Sequence, residues 1–70
     1  MNFKQVEAFR AVMLSGSMTA AAEALHTSQP NISRLIGQLE RLNGFALFER
    51  IGSRLVPTDE GTAFFNEVDR

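Results

Sequence analysis

The chain predicts a mainly α fold: a winged helix-turn-helix with a three-helix core, a two-stranded β wing and the start of a further helix. Three observations predict it. Three capped stretches with helical signals follow one another, the second and third separated only by a short polar break. Residues 45–57 then lose the helical period around a Gly52-Ser53 turn, and helical signals resume at Thr58.

The first helix is read over residues 2–15. Phe3, Val6, Phe9, Val12 and Met13 recur at three- and four-residue steps and share one face. Asn2 can cap its start with Gln5 three positions on, in the manner of a capping box. Gly16 suits the position just past its end. The second helix starts after Ser17, a natural N-cap, and runs over residues 18–25. Its Ala20, Ala21, Ala22 and Ala24 favour helix and permit close approach of a neighbouring helix. His26-Thr27-Ser28 forms the polar break. The third helix covers about residues 29–43, with Pro30 in the first turn, where a missing N–H costs little. Ile32, Leu35, Ile36, Leu39 and Leu42 make its apolar stripe, and Asn43-Gly44 ends it.

The wing is read over about residues 47–57. Leu47-Phe48-Glu49-Arg50 and Arg54-Leu55-Val56-Pro57 flank Ile51-Gly52-Ser53 as a short hairpin, and Pro57 suits an edge strand. Thr58 caps a last helix with Asp59 and Glu60 in its first turn, where the macrodipole favours acids. Phe64, Phe65 and Val68 line one side of it. The two phenylalanines are adjacent, so one is expected on the core and the other at a subunit contact or exposed. A helix that stops at Arg70 is expected to continue in a longer protein. Residues 1–57 are thus the winged domain, and 58–70 begin a linker helix.

Seventy residues make one small domain. Such a chain buries only about 60% of its unfolded surface, so helix packing or partners must hold it. There is no Cys, which excludes disulfides, and His26 is the only His, which excludes a Cys/His zinc site. No cofactor or metal is expected. No apolar run approaches the roughly 18 residues of a membrane span. Enzyme chemistry is not expected: Cys, Trp and Tyr are all lacking and no phosphate-binding glycine loop occurs. His26, with no partner in sequence, reads as a packing or capping residue. The carboxylates of residues 57–70 read as helix-start acids and a solvated face.

The formal net charge is −1, which by itself argues against a nucleic-acid binder. Its distribution argues otherwise. In residues 1–26, Lys4 and Arg10 balance Glu7 and Glu23. Residues 27–56 carry Arg34, Arg41, Arg50 and Arg54 against Glu40 and Glu49, a net +2. Residues 57–70 carry Arg70 against Asp59, Glu60, Glu67 and Asp69, a net −3.

Opposite its apolar stripe, the third helix carries Pro30, Ser33, Arg34, Gly37 and Arg41, with Gln29 at one edge and Asn31 and Gln38 on the other flank. Gln can pair with adenine and Arg with guanine in bidentate fashion, while the small Ser33 lets the helix come close. The hydroxyls of Thr27 and Ser28 can bond phosphates, which fix register without reading sequence. Arg50 and Arg54 flank the wing turn, and arginines on such a tip suit a narrow minor groove. They also read as ordinary solvated charges. Gly37 costs about 1 kcal/mol relative to Ala in a helix interior. It is either a tolerated surface glycine or a place where bare backbone meets the DNA backbone. A winged helix that docks on protein is the alternative use of this fold. Its reading face, however, lacks the aromatic anchors typical of protein hot spots.

At residues 17–22, through Leu25-His26-Thr27-Ser28-Gln29-Pro30-Asn31-Ile32-Ser33-Arg34, the chain resembles a LysR-type transcriptional regulator. Leu39-Glu40, Leu47-Phe48-Glu49-Arg50, Pro57-Thr58 and Gly61 continue the resemblance over nearly the whole chain. It implies a bacterial, cytoplasmic regulator acting at the nucleoid, whose winged domain reads a double-stranded DNA operator. Gln29, Pro30, Ser33 and Arg34 would lie in the major groove and a wing arginine in the minor groove. Thr27 and Ser28 would lie near phosphates. The resemblance further implies a homodimer paired through the linker helix, reading an interrupted inverted repeat. A small-molecule effector would bind a C-terminal domain outside this sequence. Asn31 departs from the family, which often has a small apolar residue there, so a base or phosphate contact of its own is expected. Gly37 also departs, standing for a commonly larger residue.

Overall fold

Each helix starts where a polar side chain can satisfy its free N–H groups, as this computed structural model describes for residues 1–69. The order is α1 Phe3–Ser15, α2 Met18–Ala24, α3 Gln29–Asn43, β1 Phe48–Ile51, β2 Arg54–Pro57 and α4 Asp59–Val68. The capping box of α1 is complete: the Gln5 N–H donates to Asn2 Oδ1 at 2.9 Å and the Asn2 N–H donates to Gln5 Oε1 at 3.1 Å. Ser17, Ser28 and Thr58 cap α2, α3 and α4 by accepting from the N–H groups of Ala20, Asn31 and Gly61.

At the turn between α2 and α3, His26 is exposed with φ of 55°. Of the packing and capping alternatives the structure therefore takes capping: the His26 N–H donates to Glu23 O at 3.2 Å and the Thr27 N–H to Ala22 O at 2.9 Å, closing α2. Histidine is one of the few non-glycine types enriched in that region. α2 is also one residue shorter than predicted, because Leu25 has already left helical geometry as its C-cap.

The buried faces are rotated from the simple apolar stripes. On α1 the buried residues are Gln5, Ala8, Phe9 and Val12, whereas Phe3 is 76% exposed. Ala8 is buried because α1 runs close along α3, where a small side chain fits. Gln5 is buried because its amide is used twice: besides capping, its Nε2 donates to Gln38 Oε1 on α3 at 3.1 Å. At the end of α3, Leu42 falls off the core and is 60% exposed.

Two clusters make up the core. Ala8, Val12, Ala21, Ala22, Ile32 and Ile36 bind the three helices together. Phe9, Leu39 and Leu47 form the second, with Phe45, Phe48, Phe64, Phe65 and Val68 around it. The Phe9 ring lies 5.7 Å from Phe48, 5.3 Å from Phe64 and 6.3 Å from Phe65, all tilted or edge-on, as aromatic quadrupoles prefer. Both Phe64 and Phe65 therefore pack on the core, although only one was expected to. Phe9 is large enough to be reached by both from neighbouring positions of α4.

The wing is a two-stranded antiparallel hairpin in which Phe48 pairs with Pro57 and Ile51 with Arg54. It turns through two residues, with Gly52 at φ 64°; this is the positive angle that a right-twisted hairpin requires at its first turn position. The base of the wing is latched by polar contacts. Thr58 donates its N–H to Leu47 O at 3.0 Å and its hydroxyl to Ala46 O at 2.7 Å, while Oγ1 caps α4. Glu40 Oε2 accepts from the Leu47 N–H at 2.7 Å and the Phe48 N–H at 3.4 Å. α4 crosses this latch so closely that a Cβ on Gly61 would sit 2.2 Å from the Leu47 carbonyl oxygen. Finally, Arg10 of α1 pairs with Asp69, so that one acid of the tail is held by the domain and is not merely solvated.

Candidate nucleic-acid interface

The interface begins at the tight turn, because it aims the N-terminus of α3 outward. Ser28, Gln29, Pro30, Ser33 and Arg34 are all exposed, while Ile32, Ile36 and Leu39 hold the other side of the helix in the core. The predicted polar face of α3 is therefore free along its first two turns. Further along, Gly37 and Arg41 continue it. A Cβ at Gly37 would meet only Arg41 Nη1, at 3.5 Å, so nothing in the fold requires glycine there.

The wing stands beside this face. An open cleft of about 430 Å³ is lined by Gln29 on α3, by Arg50, Ser53, Arg54 and Leu55 of the wing, and by Gly16, Ser17, Met18 and Thr19 ahead of and within α2. Three separate elements thus bring an amide, two guanidinium groups and three hydroxyl residues around one concavity. Arg50 lies opposite Leu55 in the hairpin and Arg54 opposite Ile51, so the two arginines leave the ladder on opposite faces. Met18 and Thr19 were not among the predicted site residues. A signal for them existed: an exposed threonine just inside the capped start of α2, the helix that crosses the backbone in helix-turn-helix proteins.

The other flank of the α3 N-terminus is organised differently. Thr27 and Asn31 line a recess of about 160 Å³ with Lys4, Glu7, Leu25, Ile32 and Leu35. Asn31 Nδ2 donates to Thr27 Oγ1 at 3.0 Å, and Arg34 Nη2 donates to Asn31 Oδ1 at 2.5 Å. Ser28 and Thr27 use oxygen lone pairs in these contacts, and a hydroxyl keeps its own proton to donate elsewhere.

Electrostatically the face is more basic than the sequence total suggests. Arg34, Arg41, Arg50 and Arg54 are all exposed. Of the two acids in the same segment, Glu40 is turned inward onto the Leu47 and Phe48 N–H groups, which leaves only Glu49 fully exposed. Among the described residues, no group of three or more His, Cys, Asp or Glu side chains could hold a metal ion. No helix among them is long and apolar enough to cross a membrane.

Fold and face together define a winged helix-turn-helix whose second motif helix is presented to solvent beside an arginine-bearing wing. A family model described as bacterial regulatory helix-turn-helix protein, lysR family, matches residues 3–62, and the chain belongs to that family. It is 57% identical over 70 residues to the octopine catabolism/uptake operon regulatory protein OccR of Rhizobium meliloti, covering 100% of this chain and 24% of the relative. It is 49% identical over 69 residues to the transcriptional activator protein LysR of Escherichia coli (strain K12), covering 99% of this chain and 22% of the relative. The chain therefore spans about a quarter of the length of these curated relatives. Among solved structures it matches a crystal structure of a CbnR_DBD-DNA complex with a TM-score of 0.93 and 41% identity, covering 100% of this chain and 80% of that one.

Proposed function

We propose that this chain is the DNA-reading part of a bacterial transcriptional regulator and binds double-stranded DNA sequence-specifically without doing chemistry on it. The observation that carries this reading is the cleft that joins Gln29 at the start of α3 to Arg50 and Arg54 on the wing. α3 enters the major groove with Gln29, Pro30, Ser33 and Arg34 toward base edges. The wing meets the neighbouring minor groove with Arg50 or Arg54. Thr27 and Ser28 donate their hydroxyl protons to phosphates, and Asn31 lies beside them. The match to a CbnR_DBD-DNA complex supports DNA as the partner.

Residues 1–57 act as the DNA-binding domain and 58–70 as the start of a linker helix through which a longer protein pairs as a homodimer. The operator is then an interrupted inverted repeat, since a twofold dimer presents two identical faces. A small-molecule effector is sensed by a further domain, in keeping with relatives about four times as long. The protein acts in the cytoplasm.

The test is Ser33→Glu. Ser33 is exposed and makes no contact the fold needs, so the melting transition should be unchanged. A carboxylate facing the groove costs several kcal/mol against phosphates, so affinity for a library-selected duplex should fall about 100-fold or more. Operator binding retained by the variant would refute the placement of α3. Equal affinity for the selected and a scrambled duplex, across a salt titration, would refute sequence-specific reading.

A further inference from the structure

Arg34 carries only donors, and this fixes which atom donates and which accepts in the two contacts it begins at the start of α3. Because Arg34 Nη2 meets Asn31, the atom it meets must be the carboxamide oxygen. The Asn31 amide is thereby oriented, and its Nδ2 must face Thr27. An NH₂ group only donates, so Thr27 Oγ1 accepts, and the Thr27 hydroxyl keeps its own proton for a further acceptor. One hydrogen of Nδ2 and one lone pair of Oδ1 are used within α3 and its turn, which fixes the orientation of the Asn31 amide.

We propose that Asn31 is a positioning residue that couples a base reader to a phosphate contact: it holds the Arg34 guanidinium at the groove face and aims the Thr27 hydroxyl proton at a phosphate oxygen. This rests on the placement of α3 proposed above. The coupling is a property of this chain's asparagine, since an alanine at 31 has neither the acceptor for Arg34 nor the donor for Thr27. A long arginine searching its rotamers must be ordered at each binding event, and ordering one such side chain weakens binding a few-fold. Asn31 meets part of that cost before DNA arrives.

The experiment is a set of double-mutant cycles on the 70-residue chain, read by affinity and base preference on a duplex selected by that chain from a randomised library. Asn31→Ala should weaken binding about fivefold, the size expected for losing one pre-ordered side chain. It should do so mainly by blurring preference at the base pair that Arg34→Ala also blurs. In an Arg34→Ala background the same change should have almost no further effect, and in a Thr27→Val background its effect should shrink, because partners in one network are not additive. Equal losses in every background, accompanied by a lowered melting temperature, would mean that Asn31 merely supports the fold and would overturn the coupling. Loss of preference at a base pair that Arg34→Ala leaves untouched would make Asn31 itself a reader and would also overturn it. If Arg34→Ala changes neither affinity nor preference, the placement of α3 fails, and the coupling with it.

Discussion

The two halves of the core hold their elements by opposite means. Behind the reading helix, Ala8, Ala21 and Ala22 let three helices approach closely around Val12, Ile32 and Ile36. Beneath the wing, bulky rings gather on Phe9, and backbone groups are latched by Glu40 and Thr58. The first half sets the position of α3 by the absence of side-chain bulk. The second positions the wing and α4 by filling space and by fixing carbonyls and N–H groups. Enlargement should therefore damage the first and truncation the second, with Gly61 the exception.

The largest expected effect is Phe9→Ala. Phe9 is fully buried and touches Phe48, Phe64 and Phe65, so the loss should be about 4 kcal/mol. That is a large part of the roughly 4–10 kcal/mol expected of a chain this size, and denaturant unfolding would measure it. A loss below about 1 kcal/mol would mean that the aromatic cluster does not anchor α4. Next comes Gly61→Ala, about 3 kcal/mol, because the added methyl meets a backbone carbonyl that cannot rotate away. The same measurement should show α4 loosened, seen as faster hydrogen exchange at residues 62–68. Ala21→Val should cost about 2 kcal/mol by forcing α2 off its neighbours, and should weaken DNA binding through displacement of α3. A fall in stability with DNA affinity unchanged would break the link between the alanine-lined cluster and the reading face. The smallest effect has the opposite sign. Gly37→Ala should stabilise the chain by about 1 kcal/mol, since its Cβ has room. Unchanged DNA affinity in that variant would end the idea that bare backbone at 37 approaches DNA.

Much of this was legible in the sequence, for local reasons. Asn2, Ser17 and Thr58 were readable as caps because capping is decided within three residues, and Ser28, read as part of the polar break, caps α3 in the same way. The outward face of α3 was readable from its period, since one amphipathic helix can bury only one side. Other readings failed where the deciding partner was remote. Phe3 and Leu42 carry the right periodicity but extend past their neighbours at helix ends, and periodicity says nothing about how far a partner reaches. For His26 the packing alternative fell and the capping one held, which composition could not decide because the left-handed backbone angle is invisible in it.

The sequence by itself determined the order of the elements, their caps and the basic character of residues 27–56, because these follow from neighbours along the chain. Only the tertiary structure decided that Glu40 leaves the basic face to hold Leu47 and Phe48, and that Gly61 is required while Gly37 is not. It also decided that Gln29, Thr19 and the wing arginines share one cleft. Each of these depends on which backbone lies against which, and that is settled only when the two halves of the core close on Phe9 and Ile32.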